Sequence, residues 1–283
     1  MIIDAHHHLW DRSRARYPFL SGVPEIDRDV DMTDLRPLLQ RCGVDRTVVV
    51  QGVDSDADTD FLFEQAAGNA EIAAVVAWVP LDRPEEAARR LDELAVHPSF
   101  AGIRAGINWQ PDPEWILRPD VSEGLELLAD RDIPFDLVSV RRRHLELVPE
   151  LVERHPRLRV VIDHISKPPV GKPDREPWWT NLVRAARYDT VHAKLSGIFP
   201  ARPPMDQWTV TDLQPFVDHA VEAFGTSRLM WGSDWPIVDL AGGYERMFDA
   251  LLSVFEQWPA ADRGAVLGGT AARFYGIPAA VTA

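Results

Sequence analysis

Cysteine is almost missing from this chain. Cys42 is the only one among 283 residues, so neither an intrachain disulfide nor a cysteine-based zinc ribbon can form. Basic residues are also scarce, 30 Lys+Arg against 44 Asp+Glu for a net charge of −14. Such a surface repels phosphate backbones and anionic lipid, which argues against nucleic acid and membranes as partners and leaves a small molecule. No apolar run reaches the roughly 18 residues of a membrane span. The opening MIIDAHHHLWDR lacks the basic segment and apolar stretch of a secretory leader, so the expectation is a cytoplasmic protein. No Gly/Ser linker or low-complexity tract divides the chain, and residues 1–283 read as one domain, near the size of about 250 residues usual for an α/β barrel. Nothing in the pattern speaks to oligomeric state.

What is present is a repeating alternation. Short apolar runs rich in β-branched residues recur at 2–5, 46–51, 72–79, 101–105, 134–138, 159–163, 191–196 and 228–233. Most are continuously apolar, as expected of parallel strands covered on both faces. Helical spacing fills the gaps. Thr33 is expected to open a helix that stops before Gly43, and Pro84 with Glu85 and Glu86 opens another; further helices are expected at 125–130, 145–154, 182–187, 213–224 and 246–255. The alternation predicts an α/β fold of the (β/α)8 type, a TIM barrel, with a doubly wound open sheet as the competing topology. Three connections, 9–31, 106–119 and 197–211, are longer than a barrel needs. They follow strands and so lie on the face where such barrels build active sites. They collect Trp10, Trp109, Trp115 and Trp208, each of which can pack on a ligand or simply in the fold.

The densest chemistry is Asp4-Ala5-His6-His7-His8 at the end of the first run. Side chains two apart on a regular strand share a face, which predicts Asp4, His6 and His8 on one side and His7 on the other. Two converging imidazoles supply half of a tetrahedral site for zinc or a similar ion. An engineered tag would carry a linker, which is absent, whereas plain hydrogen-bonded core histidines compete until other residues join them. The sixth run leads directly into Asp163-His164-Ile165-Ser166-Lys167, and the eighth into Gly232-Ser233-Asp234-Trp235-Pro236. Barrel strand ends surround one axis, so His6, His8, His164 and Asp234 can meet as a metal shell or a general-base cluster.

Together these segments resemble the amidohydrolase-related family of metal-dependent hydrolases, and within it the branch of sugar-lactone and pyrone-dicarboxylate lactonases. The matching stretches are IIDAHHHLWD, VVVQG, FAGIRAGI, PDPEWILRPDV, VVIDHISKPPVG, HAKLSGI, RLMWGSDWP and GGTAARFYGI. The resemblance implies a TIM barrel that opens a cyclic ester with water. It implies His6 and His8 as the first-strand pair, His164 as the later-strand histidine, and Asp234 as the aspartate that takes a proton from the attacking water. Arg104 resembles a family arginine that binds the lactone oxygen or a substrate carboxylate. The chain departs from the pattern at Ala105, where relatives often carry histidine. It also has no lysine or histidine ending the fourth or fifth run, so at most one divalent ion, zinc before others, is expected, and catalysis without metal stays open.

Other candidates carry less weight. Gln51, at the end of the second run, could hydrogen-bond a sugar hydroxyl. Lys167 and Lys194 could bind a carboxylate or hydroxyl, and Trp10 and Trp109 could pack on a sugar ring. His192 is expected to pack, His97, His144, His155 and His219 to lie on the surface, and Gly232 to mark a close backbone approach. The expectation is therefore a lactonase-type hydrolase acting on a small sugar lactone. The acid surface slightly favours a neutral lactone over a pyrone or muconolactone dicarboxylate. A zinc-dependent decarboxylase of an aromatic or muconate-like acid is disfavoured by Lys194 and Ser196 in HAKLSGI, unless His192 serves as its histidine. A sugar-binding protein without turnover would not need the whole set of ionisable strand-end residues.

Overall fold

The computed structural model describes residues 1–278. Eight parallel strands pair in sequence order: β1 (Ile3–His7), β2 (Arg46–Val50), β3 (Ile72–Ala77), β4 (Phe100–Ala105), β5 (Phe135–Leu137), β6 (Val160–Ile162), β7 (Val191–Leu195) and β8 (Leu229–Trp231). The ring closes just beyond β8, where Asp234 N–H donates to His6 O at 2.8 Å and His8 N–H to Trp235 O at 2.7 Å. The outer layer consists of α1 (Met32–Cys42), α2 (Asp56–Gly68), α3 (Pro84–Leu94), α4 (Pro119–Asp130), α5 (Arg142–Arg154), α6 (Trp178–Ala186), α7 (Val210–Phe224) and α8 (Tyr244–Phe255). This is the (β/α)8 barrel that the alternation predicts. Among the described residues no helix is long and apolar enough to cross a membrane.

Local chemistry explains the element ends and two departures from expectation. Asp31, not Thr33, caps α1: its carboxylate accepts the Thr33 N–H at 2.7 Å, Asp34 reciprocates toward the Asp31 backbone, and Gly43 at φ 65° ends the helix. Helix α2 escapes the spacing rule because Phe61, Leu62 and Phe63 are consecutive and all buried, which blurs any single apolar stripe. At the amino-terminal mouth, α9 (Ala260–Gly264), a π-helical turn and α10 (Thr270–Tyr275) close the barrel. Phe274 and Tyr275 pack there with Ile3, Ala5, Val48, Val76 and Met230.

The first strand is not regular. Its register against β2 shifts between Asp4 and His7, a bulge that puts two consecutive side chains on one face. Ala5 packs in the barrel interior and His6 also turns inward, to within 3.2 Å of Asp163. Asp4 does not share their face. It lies outward, accepting the Tyr244 hydroxyl of α8 at 3.0 Å and the Ser233 N–H at 2.8 Å. The period-two reading therefore holds for His6 and His8, whose Nε2 atoms meet at 3.2 Å, but fails for Asp4.

The long connections after β1, β4 and β7 lie at the carboxyl ends of the strands, joined by those after β6 (163–177) and β8 (232–243). The first of them is tied down by Tyr17, whose hydroxyl donates to Asp58 Oδ1 at 2.6 Å while Gly52 N–H donates to Oδ2 at 3.0 Å. Burial pushes the Asp58 carboxyl up from 3.8 to about 6, against those hydrogen bonds.

Two measurements check this frame. A Cβ on Gly232 would fall 2.8 Å from His6 Cβ and 2.9 Å from His6 N, so Gly232→Ala is expected to cost about 1–3 kcal/mol, read as a lower thermal midpoint by circular dichroism. Because the folded value of Asp58 is raised, its contribution to stability is fully present below about pH 4 and lost as pH rises through 6. Urea titrations at several pH values across that window should show a shallower fall in stability for Asp58→Asn than for the wild type.

Candidate active site

The strand ends deliver their side chains to one point. His6 Nε2 and His8 Nε2 lie 3.2 Å apart. The Nε2 atoms of His6, His8 and His164 lie 3.8, 3.7 and 3.7 Å from the same oxygen, Asp234 Oδ1. The other carboxylate oxygen accepts from Lys167 Nζ at 3.1 Å. Arg104 places a guanidinium nitrogen 3.4 Å from His6 Nε2 and 3.6 Å from Asp163 Oδ2. All of these groups except the Lys167 ammonium and part of Arg104 are enclosed.

Backbone conformation aims two of them. His164, Ile165, Ser166 and Lys167 follow one another with φ of 57, 41, 62 and 48°. Each non-glycine residue in this left-handed region costs about 1–2 kcal/mol. The turn is held by Trp178, whose indole N–H donates to Ile165 O at 2.7 Å, by Lys167 N–H to His164 O at 2.8 Å, and by Ser139 and Ser166 hydroxyls 2.8 Å apart. It brings His164 and Lys167 to the same side. Asp234 is also left-handed, at φ 62°. Gly197 completes the cradle: a Cβ there would sit 2.6 Å from both Asp234 Oδ2 and Lys167 Nζ.

The donor set fits a divalent ion. His8 Nδ1 lies 2.8 Å from Val50 O and donates to it, which leaves its Nε2 as a lone pair facing the site. His164 Nδ1 lies 2.9 Å from Ser196 Oγ, a hydroxyl that can accept its proton, and with the proton there the Nε2 lone pair also faces the site. Burial lowers the basicity of all three rings, His6 to about 3 and His8 and His164 well below 6.5, with Arg104 adding to it at each, Lys194 at His6 and Lys167 at His164. They are neutral at physiological pH, the form that ligates a metal. His6, His164 and Asp234 present one ligand atom each within 4.8 Å of one another. Burial raises the Asp234 carboxyl above its ordinary value, with Lys167 and Arg104 opposing that rise.

A cavity of about 230 Å³ opens over this cluster, lined by His8, Phe19, Gly52, Arg104, Asn108, Trp109, Val138, Val140, His164, Lys167, Asp234 and Ile237. Larger grooves exist, among them one of about 730 Å³ between Arg12 and Asp27, but no histidines converge there. Of the residues expected to touch a ligand, the structure brings His8, His164, Asp234, Arg104, Lys167 and Trp109 to the cavity wall, with His6 just behind.

Three others are elsewhere. Trp10 is fully buried, its indole N–H bound to Arg28 O at 2.6 Å; it packs edge-on beneath Phe19, which stacks on Trp109. Gln51 is enclosed and braces Asp54 Oδ1 and Arg104 O, both at 3.2 Å. Lys194 lies deep in the barrel, 2.5 Å from Asp136 Oδ2 and 3.2 Å from Asp163 Oδ1. A buried ammonium needs such anions, and those anions are below the cavity floor.

Asp136, Asn108 and Phe19 escape the sequence reading, and Asp163 enters it only as the strand-end residue before His164. A lone aspartate inside the apolar run PFDLV was the available signal for Asp136; Phe19 carried none. His144, His155 and His219 are buried rather than exposed. His155 contacts Ser122 Oγ and Glu126 at 2.9 Å, and His219 stacks on Trp179 at 3.6 Å. Trp115 and Trp208 are buried in packing, and His192 packs against Phe274.

Comparison with known proteins is consistent with this geometry. The family model described as Amidohydrolase matches residues 3–277. An L-fucono-1,5-lactonase of Burkholderia ambifaria is 38% identical over 97% of this chain and 95% of its own. A 2-pyrone-4,6-dicarboxylate hydrolase of Comamonas testosteroni is 26% identical over 83% of this chain and 76% of its own. The crystal structure of an amidohydrolase from Burkholderia multivorans with bound zinc superposes with a TM-score of 0.89 at 31% identity, covering 98% of this chain and all of that one. This chain belongs to the amidohydrolase family.

Proposed function

We propose that the protein hydrolyses a small sugar lactone, a 1,5-lactone of an aldonic acid. The observation that carries the reading is the convergence of three neutral imidazole nitrogens on Asp234 Oδ1, at 3.7 to 3.8 Å, beside Arg104 and under a small cavity. Similarity to L-fucono-1,5-lactonases supports the substrate class. The cavity's apolar wall of Phe19, Trp109, Val138, Val140 and Ile237 suits one face of a ring and a deoxy sugar's methyl group.

Asp234 is the general base. Lys167 holds Oδ2, which leaves Oδ1 to accept a proton from water as its oxygen bonds to the ring carbonyl carbon. Arg104 donates to the carbonyl oxygen as it becomes an oxyanion. The ring C–O bond then breaks, and the proton on Asp234 passes to the departing alkoxide, giving a hydroxy acid. His6, His8 and His164 with Asp234 would hold a divalent ion, zinc by the nature of the donors. When bound, such an ion polarises a carbonyl and acidifies water. Lys167 and Arg104 also sit where the product carboxylate forms.

A decarboxylase reading finds no support at His192, which packs against Phe274 with ring centroids 4.7 Å apart. That position belongs to the amino-terminal plug, away from the cavity.

An indicator assay over a panel of aldonolactones, on protein of measured metal content before and after chelation, tests the proposal; absence of acid release from every member would refute it. Asp234→Asn is expected to keep the fold and lose about 10²–10⁴ in kcat, measured on the same panel beside its thermal midpoint. Trp109 is 51% exposed, so Trp109→Ala should leave the thermal midpoint unchanged and raise KM several-fold, by steady-state kinetics on the best lactone.

A further inference from the structure

The hydrolytic steps leave Lys194 without a task, although it is wholly enclosed at the centre of the barrel. Its Nζ lies 2.5 Å from Asp136 Oδ2, 3.2 Å from Asp163 Oδ1 and 3.1 Å from His6 Nδ1. That same Nδ1 lies 3.2 Å from Asp163 Oδ1. One ring nitrogen therefore faces a group that can only donate and a group that can only accept.

A neutral imidazole carries one N–H, and here either placement finds partners. With the proton on Nδ1, His6 turns it toward Asp163 Oδ1, 3.2 Å away and without a hydrogen-bond partner as the side chains stand, and leaves an Nε2 lone pair facing the site. With the proton on Nε2, Nδ1 accepts from Lys194, and the Nε2–H points at His8 Nε2, 3.2 Å away. His8 is already committed to accept there, because its Nδ1 is spent on Val50 O at 2.8 Å. Lys194 can give up His6 and keep both carboxylates, since an ammonium has three donors. Tyr275 steadies the arrangement, donating to both Asp136 oxygens at 2.9 and 3.0 Å.

We propose that Lys194 and Asp163 are positioning residues that set which nitrogen of His6 carries the proton. They give the three-histidine site two neutral states, one with His6 Nε2 open to a divalent cation and one closed by a His6–His8 hydrogen bond. The inference rests on His6 belonging to the proposed site and not on the lactone chemistry, so a protein inactive on every lactone would still show it.

The test is long-range ¹H–¹⁵N correlation on protein labelled at histidine, metal-free and with stoichiometric zinc chloride, with the H6Q spectrum identifying the His6 signals. His6 should be protonated at Nε2 without zinc and at Nδ1 with it. A His6 already protonated at Nδ1 in the metal-free protein overturns the proposal. Asp136→Asn combined with Lys194→Met removes the donor while keeping the local net charge and leaving no lone buried ion. It should move the metal-free proton to Nδ1 and tighten zinc binding about tenfold, the scale of an outer partner's effect on a ligand. A folded double variant with the wild-type tautomer overturns the proposal as well. Should the double variant not fold, the wild-type pair of spectra decides alone.

Discussion

The seam between the last strand and the first governs the site. Gly232 has no side chain, so the β8 extension can approach His6 to a distance that any Cβ would block. Backbone hydrogen bonds from Asp234 and His8 then lock the two segments, and Asp4 on the outer face accepts the Ser233 N–H and the Tyr244 hydroxyl. With that seam in place, Asp234 stands over three imidazoles contributed by two other strands. If the seam were even slightly wider, its carboxylate would lose the equal reach to all three that makes the cluster chemically useful.

The barrel also carries an unusual interior. Apolar side chains and the Phe274–Tyr275 plug fill its amino-terminal half. Arg104, Asp136, Asp163 and Lys194 form a charged layer above them. Lys194, His6 and Arg104 hold the Asp163 carboxyl well below its ordinary range against the burial that would raise it, whereas burial takes Asp136 up to about 6 despite Lys194. Buried ion pairs of this kind roughly break even against apolar residues of the same volume. Their value therefore lies in orientation, and the left-handed turn from His164 to Lys167 is a second case of stability given up for aim. Of the groups they orient, Arg104 and Lys167 stand at the cavity wall, as donors already in place before reaction.

Much of the fold was legible in the chain. All eight strands and most helices declare themselves through apolar runs and spacing, since burial on both faces and amphipathic packing act on neighbouring residues. Helix α2 stayed hidden because its buried face is too broad to leave a period. Of the site, His6, His8, His164 and Asp234 were readable as ionisable residues at strand ends, and a barrel brings strand ends together. Asp4 was assigned to the wrong face because a bulge obeys no period of two.

The sequence by itself determined the barrel, the acid surface, and a chemistry resting on histidine and aspartate with one cysteine to spare. Those follow from composition and from short-range patterns, which the chain carries locally. Only the tertiary structure decided that Trp10 packs while Trp109 faces the cavity, and that Lys167 meets Asp234 while Lys194 sits below it with Asp136 and Asp163. The same residue types serve either role. What separates them is the depth at which each strand and loop delivers its side chain, set by contacts between segments far apart in sequence.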